Sequence, residues 1–398
     1  MNATTLARAT VPFAARAVLR TLEGLAQGRL HVALPDGAVL DFGPGGTAAE
    51  IDVRDWRAFG RILYAGDIGF AEGWLEGDWA SPDLPGLLTL LARNRTALDG
   101  ALYGSRLGRT AHRLMHALHA NTRRGSRRNI AAHYDLGNDF YALWLDPGMT
   151  YSSALFEGDA TRTLDQAQDA KYRRVFERLE ASPGSHLLEI GCGWGGFAER
   201  AAHRGLLVTG ITLSSEQLAY ARRRTAEAGL GSRVHLALRD YRDVHARYDA
   251  IVSLEMLEAV GERWWPAYFD KIAASLPRGG KAFIQSIVID DTLFARYRTG
   301  SDFIQKYIFP GGMLPSPARV SAEAARAGLA VVETHSFGLD YARTLTLWRA
   351  RFTAALPQVR ALGFDARFER LWTFYMAYCE AGFLSGSTDV AQFLLRKS

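Results

Sequence analysis

Residues 186–202, HLLEIGCGWGGFAERAA, join an apolar run and a carboxylate to a glycine-rich turn and a helix-forming segment. Glu189 stands two residues before Gly191, and Gly193 and Gly195 follow at alternate positions. Glycines at this spacing let the backbone approach a ligand closely, and a carboxylate beside them can bind a cationic group. The stretch therefore predicts a binding site for a nucleotide or a related cofactor.

The residues after the turn decide between two cofactors. A dinucleotide site has an acid at the end of the second strand, about 20 residues past the glycines, that binds the ribose. Here that strand ends in Thr212 and Ser214, and the glycines follow G-x-G-x-G-G rather than G-x-G-x-x-G. An apolar strand with Glu189 before this turn resembles the first motif of class I methyltransferases, which bind S-adenosylmethionine (SAM). The resemblance makes Glu189 and the three glycines the predicted SAM-binding residues.

Further SAM contacts are predicted where the next two strands end. Thr212 and Gln217 flank the turn after the second strand, close to the expected ribose, although Ser214 and Gln217 also fit a plain capping box. Asp240 and Tyr241 follow the third strand and are placed to hold and cover the adenine. The alternative for this last pair is an ordinary turn at the surface.

Several spaced stretches resemble the cyclopropane fatty acid synthase family. They are AHYDLGNDFYALWLDPGMTYSSALFEG (132–158), LEMLEAVGE (254–262), DFIQKYIFPGGMLPS (302–316), FGLDYARTLTLW (337–348) and YCEAGF (378–383). The resemblance runs from about residue 130 to the C-terminus, and residues 1–105 resemble the family's N-terminal lipid-handling domain more weakly. It predicts a SAM-dependent C-methyltransferase acting on unsaturated acyl chains of membrane phospholipids.

The resemblance also implies a mechanism. The alkene takes the methyl group of SAM and becomes a carbocation, a base removes a proton from the added methyl group, and a cyclopropane ring closes. A bound bicarbonate commonly serves the family as that base. Matching motifs place Tyr151 and Ser152 beside SAM, and Glu258, Tyr341 and Cys379 around the bicarbonate. Without the family, Tyr341 and Cys379 would be interpreted as buried apolar residues.

This sequence departs from the family pattern around the expected bicarbonate. Ser153 stands in place of a cysteine, and Gln285 in place of a histidine. Glu255 replaces a glycine and Ala259 replaces a histidine. Serine and glutamine can still hydrogen-bond an anion, but glutamine cannot carry a positive charge. Bicarbonate therefore stays one alternative, and Glu255 or Glu258 acting as the base is the other.

Three other functions fit parts of the sequence. If the proton leaves a neighbouring chain carbon, the product is a methyl-branched or methylene fatty acid rather than a cyclopropane. A lipid-binding protein with an inactive methyltransferase site is a second alternative, which the intact Glu189 and glycine turn oppose. RNA methylation is a third, and no cluster of stacking aromatic residues accompanies the basic stretch to support it.

The elements that carry these residues alternate between strand and helix. Strands are predicted at 186–191, 206–213, 233–238, 248–254, 281–289 and 329–337, with a last strand near VAQFLLRK. Amphipathic helices separate most of them, a pattern typical of a doubly wound, mostly parallel α/β sheet of the Rossmann-like methyltransferase class. We predict three parts: a small α+β domain at 1–105, a basic linker at 106–130 and the catalytic domain at 131–398.

The charge distribution predicts the surface with which the protein associates. The net charge is +5, and residues 106–128 hold seven arginines and three histidines without an acid. Anionic phospholipid headgroups suit such a stretch, and a solvated linker helix is the alternative. We expect a cytoplasmic protein, peripheral on the inner face of the membrane, that forms a homodimer and binds no nucleic acid. The two cysteines provide neither a disulfide framework nor metal-ligand spacing.

Overall fold

The computed structural model describes residues 11–98, 125 and 136–398. These residues form two compact units. In the first unit, residues 11–98 group with 299–308 and 360–387. The second unit contains 136–298, 309–359 and 388–398. The sequence assigned 299–308 and 360–387 to the catalytic domain, whereas both segments are part of the first unit.

The first unit contains a four-stranded sheet in the order β2-β1-β3-β4. Its strands are β1 (Gly28–Ala33), β2 (Val39–Gly45), β3 (Ala48–Val53) and β4 (Trp79–Ala80). β1 and β2 form the antiparallel hairpin that the Pro35-Asp36-Gly37 turn predicts, with Gly37 at φ 82°. Alternate residues of β1 and β2 are buried, namely Leu30, Val32, Leu40 and Phe42. The small α+β fold predicted for this region is therefore present.

Six helices of the described residues belong to the first unit. They are α1 (Phe13–Leu22), α2 (Arg57–Ala65), α3 (Asp67–Glu76), α4 (Leu84–Arg93), α11 (Phe303–Tyr307) and α15 (Ala366–Leu384), numbered along the described chain. Gly66, at φ 62°, separates α2 from α3. α4 begins with Asp83, whose side chain accepts the N–H of Gly86.

The second unit contains a seven-stranded sheet in the order β10-β11-β9-β8-β5-β6-β7. The strands are β5 (His186–Ile190), β6 (Leu207–Thr212), β7 (Val234–Leu238), β8 (Ala250–Leu254), β9 (Lys281–Ile289), β10 (Leu329–Ser336) and β11 (Thr388–Lys397). β5 to β9 pair in parallel, and β11 runs antiparallel to both of its neighbours. The predicted strands and the mostly parallel sheet are confirmed.

Helices cover both faces of this sheet. They are α5 (Asn138–Ala142), α6 (Leu164–Leu179), α7 (Gly196–His203), α8 (Ser215–Glu227), α9 (Trp265–Ser275), α10 (Asp291–Tyr297), α12 (Pro317–Arg326) and α13 (Gly338–Ala354). A further helix, α14 (Leu356–Ala361), spans the boundary between the units. Neighbouring residues of β5 belong to different cores, because Leu187 packs with α6 and α7 while Leu188 packs with α9 and α12. The parallel strands thus end at one edge, where ligands bind in folds of this type.

The predicted basic linker falls largely outside the described ranges, because only residue 125 of the stretch 106–128 lies within them. Within the described ranges, no helix combines the length and the apolar character needed to cross a bilayer.

Candidate active site

A buried carboxylate in β5 precedes the glycine-rich turn, which follows this strand directly. Glu189 is buried within β5, and its Oε2 has no hydrogen-bond partner among the described residues. Burial raises the pKa of Glu189 to about 8. A buried carboxyl group without a partner is unfavourable in free energy, and a cationic group of a ligand beside it would offset that cost.

The glycines shape the space beside Glu189. Gly193 has φ 50°, and a Cβ on it would meet no atom of the described chain within 4 Å. A Cβ on Gly195 would lie 3.0 Å from the Cβ of Ala221, which shows that α7 and α8 pack closely there. The positive φ at Gly193 favours glycine, and the turn leaves open space where a side chain would project from that residue. The nearby Glu189 offers Oε2, which has no partner among the described residues, as an acceptor. Both features fit a cofactor with an ammonium group.

The turn after β6 is held by its own side chains. Ser214 caps α8 by accepting the N–H of Gln217 at 3.2 Å. Gln217 does not complete a reciprocal capping box, because its Oε1 accepts from the Thr212 hydroxyl at 3.2 Å. That hydroxyl in turn accepts the N–H of Ser214. The predicted cap is present, and the buried amide of Gln217 belongs to the end of β6 rather than to the cap alone.

Asp240 and Tyr241 lie where β7 ends, as predicted. Both oxygens of Asp240 accept hydrogen bonds from the guanidinium of Arg242, at 2.8 and 2.5 Å. Tyr241 is buried, its ring packs edge-on against Tyr268, and its hydroxyl has no hydrogen-bond partner in the described chain. Asp240 is therefore a fixed, charge-paired carboxylate, and Tyr241 contributes an apolar face at the same strand edge.

The Glu255 carboxylate accepts hydrogen bonds from three of the other predicted site residues. Its Oε1 accepts the backbone N–H of Ser153 at 2.8 Å and the Gln285 amide at 2.7 Å. Its Oε2 accepts the Tyr341 hydroxyl at 2.7 Å. These donors come from the loop before α6, from β9 and from α13. Three of the groups expected around a bicarbonate, Ser153, Gln285 and Tyr341, thus hold a carboxylate of the protein itself.

The backbone at Glu255 is unusual. Its φ is 53°, in the left-handed region that glycine adopts freely and other residues rarely do. Such a conformation costs on the order of 1–3 kcal/mol and persists only where the surroundings impose it. Its N–H donates to the Gln285 carbonyl at 2.7 Å, which ties the strained residue to β9. The strained backbone places the carboxylate inside the site.

Glu258 follows Glu255 by three residues but has a different environment. Its Oε1 accepts the backbone N–H of Ile287, and its Oε2 has no hydrogen-bond partner among the described residues. Burial, and then the charge of Glu255, raise the pKa of Glu258 to about 8. Burial also raises the pKa of Glu255, but a lysine and three donors oppose that rise. The lysine and the three donors favour the charged form of Glu255, whereas burial and the charge of Glu255 oppose the charged form of Glu258.

Sequence reasoning missed two residues of α6 that fix the loop carrying Ser152 and Ser153. The Lys171 ammonium donates to the Ser152 hydroxyl at 2.5 Å, and Gln168 donates to the Ser152 carbonyl at 2.9 Å. Both side chains are fully buried. The signal was their position, because Lys171 lies four residues after Ala167 and four before Val175 on the apolar face of the helix.

The same loop is also attached to α13. The Ala154 N–H donates to the Thr344 hydroxyl at 3.1 Å, and the Phe156 N–H donates to Asp340 at 2.6 Å. Tyr151 begins the loop among aromatic rings, with centroid distances of 5.5 Å to Tyr141 and 5.4 Å to Trp348. These attachments leave the loop little freedom, which suits a loop that must present Tyr151, Ser152 and Ser153 at fixed positions.

Cys379 lies in the first unit, on α15, where it is half-buried. Burial and the neighbouring Asp302 raise the pKa of its thiol. Its expected place beside a bicarbonate stays a prediction. In the described part of the chain, no group of His, Cys, Asp and Glu side chains has an arrangement that could hold a metal ion.

The sheet order and the glycine turn define a class I SAM-dependent methyltransferase, and comparison with known proteins identifies the family. The family model for mycolic acid cyclopropane synthetase matches residues 121–393, and the chain belongs to this family. A tuberculostearic acid methyltransferase of Mycobacterium tuberculosis is 43% identical over 84% of this chain and 80% of its own. The cyclopropane-fatty-acyl-phospholipid synthase of Escherichia coli K12 is 34% identical over 85% of each chain.

A solved structure supports the same assignment. The mycolic acid cyclopropane synthase complexed with SAH and CTAB has a TM-score of 0.64 and 33% identity, and covers 68% of this chain and 98% of its own. The protein is therefore a SAM-dependent methyltransferase of a family that transfers a methyl or methylene carbon to unsaturated fatty acyl chains. The resemblance stated from the sequence, the fold class and the cofactor are confirmed.

Proposed function

We propose that this enzyme methylates the double bond of an unsaturated acyl chain in a membrane phospholipid, and that Glu255 is its base. The observation that carries the proposal is the carboxylate of Glu255, held by Ser153, Gln285 and Tyr341. With these donors occupied, no separate bicarbonate is needed. The 34% identity to a cyclopropane-fatty-acyl-phospholipid synthase supports the substrate.

The cofactor site is proposed at the edge formed by β5, β6 and β7. Glu189 would bind the ammonium group of SAM, and the turn from Gly191 to Gly195 would approach its amino-acid end. Gln217 with Thr212 would lie at the ribose, and Asp240 with Tyr241 at the adenine. Tyr151 and Ser152 would border the reacting end. When bound, SAM supplies the electrophilic methyl group that the alkene accepts.

The protein's task after methyl transfer is to remove one proton. Glu255 is suited to this because it is buried and held by three hydrogen bonds, and because those donors and Lys171 favour its ionised form. Glu258 is less suited, because burial and the charge of Glu255 raise its pKa to about 8 and so favour its protonated form at pH 7. Its role would be to orient Glu255 through the shared edge of β8 and β9. The proton passes to a Glu255 oxygen, and the electron pair of the C–H bond forms either a new C–C bond that closes a ring or a C=C double bond.

The product depends on which bond receives that electron pair. Closure onto the cationic carbon gives a cyclopropane. A hydride shift followed by proton loss from the methyl group gives a methylene chain, and proton loss from a chain carbon gives a methyl-branched alkene. We propose an acyclic methylated product, in line with the 43% identity to a tuberculostearic acid methyltransferase. A cyclopropane is the second candidate, and the matching family model supports it.

The deciding experiment is expression in a host rich in monounsaturated phospholipids, followed by mass spectrometry and proton NMR of the extracted fatty acids. Mass spectrometry should show chains heavier by one CH2, which all the candidates share. NMR separates them, because ring protons resonate upfield, methylene protons are vinylic and a branch gives a methyl doublet. The Glu255→Gln variant provides the matched control. Unmodified chains with the wild-type enzyme would refute the proposal.

Dependence on bicarbonate tests the base separately. The purified enzyme is assayed on phospholipid vesicles in buffer depleted of carbon dioxide, with and without added bicarbonate. We expect equal rates, because the protein's own carboxylate occupies the donors. A rate that rises with bicarbonate would return Glu258 to the role predicted from the family and would contradict Glu255 as the base.

A further inference from the structure

Lys171 is a fully buried cation that the proposed mechanism does not yet use. Its ammonium donates to the Ser152 hydroxyl at 2.5 Å and lies 4.8 Å from the centroid of the Tyr172 ring. Taking an ammonium group out of water is costly unless anions compensate for it. A neutral side chain could fill the same space on the apolar face of α6. Packing alone therefore does not explain why a lysine occupies this position.

Three charged groups face Lys171. Glu255 and Asp146 favour its protonated form, and Arg200 opposes it. Burial is the largest influence and lowers the pKa of Lys171 to about 7. Asp146 is already bound within its own loop, where its oxygens accept the Thr150 N–H at 2.9 Å and hydroxyl at 3.2 Å. Glu255 is the acid in the centre of the site.

The interaction acts in both directions. After burial, Lys171 has the largest influence on Glu255, and it lowers the pKa of that carboxyl. The other titratable groups that face Glu255 are Tyr341, which donates to it, and Glu258, whose pKa the charge of Glu255 raises. Lys171 is thus the cation with the largest influence on Glu255. The two are also linked by geometry, because Lys171 donates to Ser152 and the N–H of the next residue, Ser153, donates to Glu255.

We propose that Lys171 is a positioning residue: with Gln168 it fixes the loop that presents the Ser153 N–H to Glu255, and in its protonated form it favours the charged Glu255 carboxylate. Both hydrogen bonds to Ser152 come from one turn of α6, so the helix holds the hydroxyl and the carbonyl of the same residue. The proposal rests on the proposed function in one respect, the role of Glu255 as the base.

The test is an infrared titration of the carboxyl groups in the SAM-free enzyme. The C=O stretch of protonated Glu255 is identified by its loss in Glu255→Gln. In Lys171→Met this band is expected to persist to a pH higher by about 1–3 units, the usual effect of a nearby opposite charge. Lys171→Gln keeps a donor toward Ser152 without the charge and should give the same shift. The Lys171→Gln variant also provides the test if Lys171→Met does not fold.

Two controls separate charge from packing. Lys171→Arg retains a cation and should keep the midpoint near that of the wild type. Arg173→Met removes an exposed cation from the same helix and should leave it unchanged. An unchanged midpoint in both Lys171→Met and Lys171→Gln would overturn the proposal, and so would an equal shift in Lys171→Arg. The titration requires no lipid, so a failure to methylate phospholipids would count against the proposed function alone.

Discussion

The Tyr341 hydroxyl donates to Oε2 of Glu255 over 2.7 Å, across 86 residues of sequence. Tyr341 belongs to the first turn of α13, and Glu255 follows β8. A hydrogen bond to a charged acceptor contributes about 1.5–3 kcal/mol. It favours the ionised carboxylate and fixes its orientation. This contact joins the C-terminal part of the second unit to the edge of the sheet where the chemistry is proposed.

Replacing the two glutamates separately should distinguish their roles. Glu255→Gln is expected to lower the turnover of methylated lipid by about 10²–10⁴-fold, the usual contribution of a general base. Glu258→Gln should cost much less, because the pKa of Glu258 is about 8 and the group is already neutral at pH 7. Turnover is measured on vesicles, and SAM affinity by calorimetry should change little in either variant.

The control for this pair is Glu227→Gln, a change at an exposed position at the end of α8. It should retain full turnover. A larger loss in Glu258→Gln than in Glu255→Gln would show that the base had been assigned to the wrong residue.

The pH dependence of turnover should follow the ionisation of Glu255. Burial raises the pKa of Glu255 above its ordinary value, so turnover falls as the pH decreases through that raised pKa. Tyr341→Phe removes a donor that favours the charged form, so the midpoint of the acidic limb should move to higher pH. The measurement is kcat against pH on saturating lipid. Tyr64→Phe, at an exposed residue of α2, is the control. An unchanged midpoint of the acidic limb in Tyr341→Phe would show that the Tyr341 hydroxyl does not influence the ionisation of Glu255.

SAM binding should release a proton near neutral pH. In the SAM-free enzyme burial raises the pKa of Glu189 to about 8, so the carboxyl is mostly protonated at pH 7. An ammonium group beside it favours the ionised form and expels the proton. Calorimetry in buffers of different ionisation enthalpy should report up to about one proton released at pH 7, and fewer above pH 8. Glu189→Gln should show no release; an identical release in that variant would point to another group.

The same pKa shift predicts how the stability of the SAM-free enzyme changes with pH. The folded state keeps the Glu189 proton up to about pH 8, whereas the unfolded chain loses it near the ordinary glutamate value. The folded state therefore binds more protons between these values, and its contribution to the free energy of unfolding decreases as the pH rises through that window. Glu189→Gln should flatten the decrease in a series of urea titrations.

Gly193→Val should abolish SAM binding. The φ of 50° is unfavourable for a β-branched residue, and the added side chain would project into the open space beside Glu189. Calorimetry with SAM measures the loss. Gly231→Val, at an exposed turn after α8 where no described atom lies within 4 Å of a built Cβ, is the matched control and should bind normally. Wild-type affinity in Gly193→Val would exclude the turn as the site.

Membrane association is predicted from the basic stretch 106–128. Each cation near an anionic surface contributes about 1 kcal/mol, screened over a Debye length of about 8 Å at physiological salt. Arg→Glu changes at 123, 124, 127 and 128 should therefore abolish sedimentation with anionic vesicles, and added salt should weaken binding of the wild type steeply. Equal binding to neutral vesicles, or binding insensitive to salt, would contradict an electrostatic interaction.

The sequence alone determined the seven strands of the large sheet, the glycine turn with Glu189, the cofactor and the family. The strands and the turn are local features, because apolar runs, helical periods and turn residues act over a few positions. The cofactor and the family follow from the resemblance of several spaced motifs. The position of a residue just past a parallel strand also follows from the sequence, since such strands end at one edge. Glu255, Glu258 and Asp240 could therefore be nominated without a structure.

Only the tertiary structure decided which of these groups touch one another. Ser153 and Gln285 lie 102 and 30 residues from Glu255, and their convergence depends on how α6, β9 and α13 pack. Packing also buried Lys171, whose charge gave no sign of its role in a helix with many charged residues. Side-chain direction and the desolvation that shifts pKa values are properties of the folded interior, which no local pattern encodes.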